Sequence, residues 1–211
     1  MKPLPITFQC GELKLEGLYF SLERQGPLPA VVVCHPHPLY GGSMHNNVTC
    51  AIADALVAVS MDALLFNFRG VGSSQGGYGG GVEEQKDIEA ALEWLQGREG
   101  VDGGRLGLAG YSFGAGVALP VGCANERVKG IALISPYFEN SPLDMLRGCR
   151  KPKLIMGGSN DDRVLPADVE TYGEEAAEPK ECEIIDGPDH FWGGYEGQMA
   201  ESVAGFFKDI L

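Results

Sequence analysis

Arg105-Leu-Gly-Leu-Ala-Gly-Tyr-Ser-Phe-Gly-Ala-Gly-Val-Ala-Leu119 decides how the rest of the chain is read. A short apolar run (Leu106, Leu108, Ala109) leads into Gly110-Tyr-Ser-Phe-Gly114, and small, helix-compatible residues follow. The pattern predicts a buried strand, a sharp turn and a helix. G-x-S-x-G at such a junction is a nucleophile elbow, with Ser112 strained and its hydroxyl projecting above the sheet edge. Gly110 and Gly114 lack a Cβ, so strand and helix can close around the serine. A chain with 31 glycines can show this motif by chance, so its weight depends on partners elsewhere.

On the amino-terminal side, Ile6–Cys10 and Leu13–Phe20 flank Gly11-Glu12 and predict a β-hairpin, with a bulge expected at Gly17. Ser21 to Pro29 is a polar turn. Ala30-Val-Val-Val-Cys34 and Ala63–Phe68 are continuous apolar runs of the kind buried on both sheet faces. Between them, Asn46 or Asn47 caps a helix to about Ser60, with Val48, Ile52, Leu56 and Val59 at helical spacing. A glycine-rich loop spans Arg69 to Gly81, and Glu83–Gln96 is amphipathic, with Ile88, Leu92 and Leu95 on one face.

Beyond the elbow, strands are expected at Gly130–Ser135, Lys153–Met156 and Glu181–Ile185, and helices at Ala167–Ala177 and Glu196–Leu211. Strand and helix alternate after the hairpin. That order implies an α/β fold, a doubly wound, mostly parallel sheet preceded by a β-hairpin, in one domain over residues 1–211. Functional groups of such sheets gather at the carboxyl ends of strands. Here those ends carry His35–His37, Asn67–Arg69, Ser112, Ser135–Tyr137, Asn160–Asp162 and Asp189–His190.

The chain has 44% hydrophobic and 21% charged residues, ordinary for a globular protein. A net charge of -13 argues against nucleic-acid or anionic-membrane partners. No apolar run reaches the roughly 18 residues that span a bilayer. The start, Met1-Lys-Pro-Leu-Pro5, lacks signal-peptide features. Six cysteines, Cys10, Cys34, Cys50, Cys123, Cys149 and Cys182, are scattered without a C-x-x-C pair. They are expected as free thiols in a reducing cytoplasm, and a thiol enzyme built on Cys34 is disfavoured.

A serine hydroxyl needs a base, and the base needs an orienting acid. Ser, then Asp, then His is the order in the α/β-hydrolase fold. His190 follows the last strand in Gly187-Pro-Asp-His-Phe-Trp192 and is the candidate base. For the acid, counting from Gly158 selects Asp161, while counting back from Pro166 selects Asp162. Asp161 is favoured because it leaves the strand directly, and Asp162 then serves as a helix-starting or capping residue.

The chain from about residue 6 onward resembles minimal α/β-hydrolases of the dienelactone-hydrolase-like group. The loop His35-Pro-His-Pro-Leu-Tyr-Gly-Gly-Ser-Met-His-Asn46 is similar to one small bacterial branch of that group, as are Asn67–Gly76 and His190-Phe191. One oxyanion-hole N–H is expected from Phe113, the residue after the nucleophile. Pro36 and Pro38 have no N–H, which leaves His37, Leu39 or Tyr40 for the second, and the resemblance implies His37. A metal pair at His35-x-His37 is the rival reading, and no metal or other cofactor is expected.

Arg69 either binds a substrate carboxylate or braces the glycine-rich loop. Tyr40, Tyr78, Tyr137, Phe138 and Trp192 either line the substrate pocket or pack on the scaffold. The segment between the strands ending at Ser135 and starting near Lys153 is too short for a lid. The expected activity is a serine hydrolase acting on small ester, thioester or lactone substrates. A small peptidase and a catalytically silent binding protein are the alternatives, and oligomeric state is not encoded in any motif.

Overall fold

The computed structural model describes residues 3–21 and 26–211; part of the turn expected at Ser21–Pro29 lies outside the described residues. Eight strands form one sheet: β1 (Leu4–Cys10), β2 (Leu13–Phe20), β3 (Leu28–Cys34), β4 (Asp62–Phe66), β5 (Val101–Tyr111), β6 (Val128–Ile134), β7 (Lys153–Gly158) and β8 (Lys180–Ile185). Six helices accompany them: α1 (Asn47–Ala58), α2 (Glu84–Gln96), α3 (Phe113–Ala124), α4 (Leu143–Gly148), α5 (Pro166–Glu175) and α6 (Glu196–Ile210). The strand order is β1-β2-β4-β3-β5-β6-β7-β8. β1 and β2 pair antiparallel, as do β2 and β4, and every later pairing is parallel.

The alternating side chains of β3 show how the sheet is sandwiched. Val31 and Val33 point into a core shared with α1 and α6, together with Ile52, Leu56, Val203 and Phe207. Val32 points the other way, into a core shared with α2, α3 and α5, with Ile88, Leu92, Ala118 and Val169. Fully burying a valine or leucine stabilises by about 1.5–3 kcal/mol, so this two-sided burial fixes the register of the central strands. A one-residue slip would exchange the two faces.

The expected bulge at Gly17 is absent: β1 and β2 pair without interruption from Leu4 opposite Tyr19 to Cys10 opposite Leu13. The sequence alternation falters because β2 is covered on both faces. Leu15 and Tyr19 belong to the core under α2, whereas Phe20 belongs to the core under α1. Gly17 is there for space, since a Cβ would lie 2.8 Å from the carbonyl oxygen of Leu65 on β4.

Two turns of helix were not legible in the sequence: the 3₁₀ turn Pro38–Tyr40 and α4. α4 is the only helix between β6 and β7 among the described residues, and no lid stands over the sheet edge. β3 and β5 are neighbours whose following connections run to opposite sides of the sheet. A crevice at their carboxyl ends is the place where sheets of this kind bind ligands.

Candidate active site

Ser112 sits between β5 and α3 with φ 55° and ψ -119°, a region that costs a non-glycine residue of order 1–3 kcal/mol. The packing around it enforces this. A Cβ on Gly110 would lie 2.4 Å from the Gly114 carbonyl oxygen, and one on Gly114 would lie 2.5 Å from that of Cys34. The Ser112 N–H donates to Ile134 on β6 at 2.9 Å. Its carbonyl accepts from Ala115, Gly116 and Tyr137. Strained backbone is thus held by four hydrogen bonds, to α3, to β6 and to the loop that follows β6.

His190 lies in the loop between β8 and α6 and is buried. Its Nε2 is 3.0 Å from Ser112 Oγ, and its Nδ1 is 2.8 Å from Asp161 Oδ2. A carboxylate can only accept, so Nδ1 carries the proton and Nε2 presents its lone pair to the serine hydroxyl. Asp161 follows β7 directly, and its Oδ1 accepts the N–H groups of Arg163 and Val164, each at 2.9 Å. Burial alone would push this carboxyl up. The bonds from His190, Val164 and Arg163 outweigh burial and hold Asp161 below the usual carboxylate range. Asp162 is exposed beside it. It does not cap a helix either: α5 starts at Pro166 behind Leu165, with the proline at the first helical position where its missing N–H costs nothing.

His37, in the loop after β3, and Phe113, the first residue of α3, are brought together with their rings 4.8 Å apart. Their backbone N–H groups find no acceptor among the described residues. The His37 ring also contacts Tyr40 at 4.7 Å and Tyr78 at 5.1 Å. Its Nδ1 accepts the Leu39 N–H at 3.2 Å, so Nε2 carries the proton and donates to Tyr78 Oη at 3.3 Å. Burial lowers the His37 pKa, against the pull of Glu139 and Glu84. His35 is buried deeper, with Nδ1–H donating to its neighbour Pro36 and Nε2 accepting from Phe68. The ring nitrogens of both histidines are therefore engaged within the protein. No cluster of three or more His, Cys, Asp or Glu side chains suited to a metal ion occurs among the described residues.

Of the two readings open for Arg69 and for Trp192, the structure favours packing over substrate contact. The Arg69 guanidinium is buried against Asp87, at 2.7 Å from Nη2, and reaches Glu83 at 2.9 Å from Nη1. It braces the glycine-rich loop against α2. Trp192 is fully buried in the α1–α6 core and donates from Nε1 to Ser135 Oγ at 3.1 Å. It anchors the His190 loop to the end of β6 instead of lining a pocket.

Tyr40 is 86% exposed and stands at the rim over His37. Tyr137 and Phe138 line a cleft of about 230 Å³ that begins at Phe113. Its other walls are Gly80–Val82 of the glycine-rich loop, Val117 and Pro120 of α3, and Met145 of α4. Sequence reasoning missed Met145, which lies in the short segment between Ser135 and Lys153 where no helix was expected. It also missed Tyr111, whose hydroxyl bonds the His190 backbone, although its place beside Ser112 was a signal.

The fold and this constellation define a serine hydrolase of the α/β-hydrolase superfamily. Residues 22–141 match the X-Pro dipeptidyl-peptidase (S15) family, and the chain belongs to that family. An uncharacterized protein of Rickettsia prowazekii is 34% identical over 195 residues, covering 89% of this chain and 81% of that one. An α/β serine hydrolase homologue from Coxiella burnetii superposes with a TM-score of 0.87 at 30% identity over 97% of each chain. An α/β serine hydrolase without lid from Xanthomonas campestris gives 0.81 at 27% identity over 98% of this chain and 94% of its own.

Proposed function

We propose that the protein hydrolyses small ester, thioester or lactone substrates through Ser112, His190 and Asp161. The observation that carries this reading is the unbroken hydrogen-bonded chain from Ser112 Oγ through His190 to Asp161. Ser112 attacks the carbonyl carbon while His190 Nε2 takes its proton. Asp161 keeps the proton on Nδ1 and stabilises the imidazolium that forms. The free N–H groups of His37 and Phe113 are the donors for the oxyanion. His190 then protonates the leaving group, and a water activated by the same Nε2 releases the acyl group. The likeness of the His35–Asn46 loop to the dienelactone-hydrolase-like branch favours a small ester or lactone, and so does an open site without a lid. No step needs a metal or cofactor.

The match to a peptidase family supports a second reading, cleavage of a dipeptide from a chain with proline in second position. One pair of assays separates the two: p-nitrophenyl acetate against an aminoacyl-prolyl p-nitroanilide. Ester turnover that disappears in Ser112→Ala, with labelling of Ser112 by a fluorophosphonate, is the expected result. Anilide turnover exceeding ester turnover in kcat/KM would favour the peptidase. Ester hydrolysis unchanged in Ser112→Ala would refute both.

A further inference from the structure

The sequence scatters its cysteines, but the fold brings two of them together. Cys123 is in the last turn of α3, and Cys149 caps the carboxyl end of α4. Their thiols are neighbours, each perturbing the ionisation of the other. Both sulfur-bearing residues line one open groove with Pro120, Met145, Gly148 and Lys151. Lys151 Nζ is anchored on the carbonyls of Gly122 and Asn125 at the end of α3. Lys153, fully buried, donates to Ala177 at 2.6 Å and Pro179 at 3.2 Å. The proposed hydrolytic chemistry uses neither thiol.

We propose that Cys123 and Cys149 form a hydroperoxide-sensitive dithiol that closes reversibly to a disulfide between α3 and the end of α4. In this proposal Cys149, beside Lys151 in the groove, is the attacking thiol. The adjoining Cys123 thiol, the Lys151 backbone and the charges of Lys153 and Lys151 favour the Cys149 thiolate against the opposing effect of burial, and its pKa falls below the ordinary thiol value. Burial instead pushes up the thiols of Cys10, Cys34, Cys50 and Cys182. A thiolate is the species that reacts with peroxide.

With hydrogen peroxide as oxidant, the Cys149 sulfur attacks one oxygen. An S–O bond forms, the O–O bond breaks, and the departing hydroxide takes up a proton as water. Cys123 then loses its proton and attacks the Cys149 sulfur. The S–S bond forms, the S–O bond breaks, and a second water leaves. Two electrons pass from the thiol pair to the peroxide. Pro120 and Met145 border both this groove and the cleft that begins at Phe113, so the disulfide ties down one wall of that cleft.

The test uses the intact, fully reduced protein. It is treated with hydrogen peroxide, remaining thiols are blocked with iodoacetamide, and the peptides are mapped by mass spectrometry. The expected result is a peptide pair joined through Cys123 and Cys149, with a loss of two titratable thiols per chain that dithiothreitol restores. In Cys123→Ser the cross-link is gone and dimedone captures a sulfenic acid on Cys149. The wild-type map decides the matter even if that variant fails to fold. Recovery of both cysteines alkylated while exposed Cys182 is oxidised, or a Cys149 cross-link to any other cysteine, would overturn the proposal. None of these readouts depends on hydrolytic turnover.

Discussion

Tyr111 Oη donates a 2.6 Å hydrogen bond to the main-chain carbonyl of His190, 79 positions away. The two rings lie 5.5 Å apart. The residue just before Ser112 thus holds the backbone from which the imidazole projects, so the two ends of the serine–histidine contact share one brace. Tyr111→Phe keeps the ring and removes the bond, leaving a buried carbonyl without its partner. That loss is expected to cost about 1–3 kcal/mol of stability. Because a 1.36 kcal/mol change in barrier is tenfold in rate, kcat for p-nitrophenyl acetate should fall roughly 3- to 10-fold, with KM nearly unchanged. Steady-state kinetics and urea unfolding check both parts, and an unaltered kcat would remove Tyr111 from the positioning of His190.

Stability should also carry a signature of His35. Burial pushes its pKa down to about 4 from the ordinary 6.5, despite the hydrogen bond to Pro36 that favours the charged form. The unfolded chain takes up the proton near pH 6.5 and the folded chain only near pH 4. Between those values the unfolded state binds more protons, so stability rises with pH across the window and is lost as pH falls through it. At 1.36 kcal/mol per pKa unit the effect is at most about 3 kcal/mol. Asp161 has the same sign, its contribution being lost only as pH falls through its lowered pKa, beneath the His35 window. Urea unfolding at neutral pH and near pH 4.5 should therefore show a wide gap for the wild type. A distinctly narrower gap is expected for His35→Gln, whose amide oxygen can still accept from Phe68; equal gaps would refute the assignment.

Features with a short-range signature were legible in the sequence. The apolar runs of β3 and β4 are long and uninterrupted, and the elbow glycines have local steric work to do. Asn46 caps α1 through a side-chain bond to the Val48 N–H at 2.9 Å, an interaction spanning two residues. What the sequence left open was tertiary. Arg69 and Trp192 are residue types often seen in binding sites, but their burial depends on Asp87, 18 positions away, and on Ser135, 57 positions away. Gly17 looked like a slip because two-sided burial of β2 erases the alternation that would mark a continuous strand. Asp161 and Asp162 are adjacent, so spacing could not separate them. The direction in which the chain leaves β7 does, by bringing one of the two within 2.8 Å of His190.

The buried position of Arg69 has a direct consequence. Its guanidinium makes a forked contact with Asp87 and a further one with Glu83, and a lysine ammonium cannot reproduce that geometry. Breaking a buried pair commonly costs 3–5 kcal/mol. Arg69→Lys retains the charge, so about 2–4 kcal/mol is expected, read as a lowered urea midpoint. The ratio of KM for esters bearing a free carboxylate to KM for neutral esters should stay as in the wild type. A rise confined to the carboxylate-bearing esters would restore Arg69 as a substrate contact.

Acyl preference is expected to reside in the cleft beginning at Phe113, where Met145 stands 40% exposed opposite Val117 on α3. The walls are mainly apolar, and Glu139 is the only charged residue among them. Such a lining accepts a neutral chain and opposes an anionic one. Met145→Trp adds bulk at a partly exposed position, so the fold has no reason to suffer, while the far end of the cleft closes. Excluding a few methylenes removes about 0.8 kcal/mol each. The kcat/KM for p-nitrophenyl octanoate should drop tenfold or more relative to the acetate, whose short chain does not reach Met145. An equal change for both esters would mean that the acyl group lies elsewhere, toward the aromatic cluster of His37, Tyr40 and Tyr78.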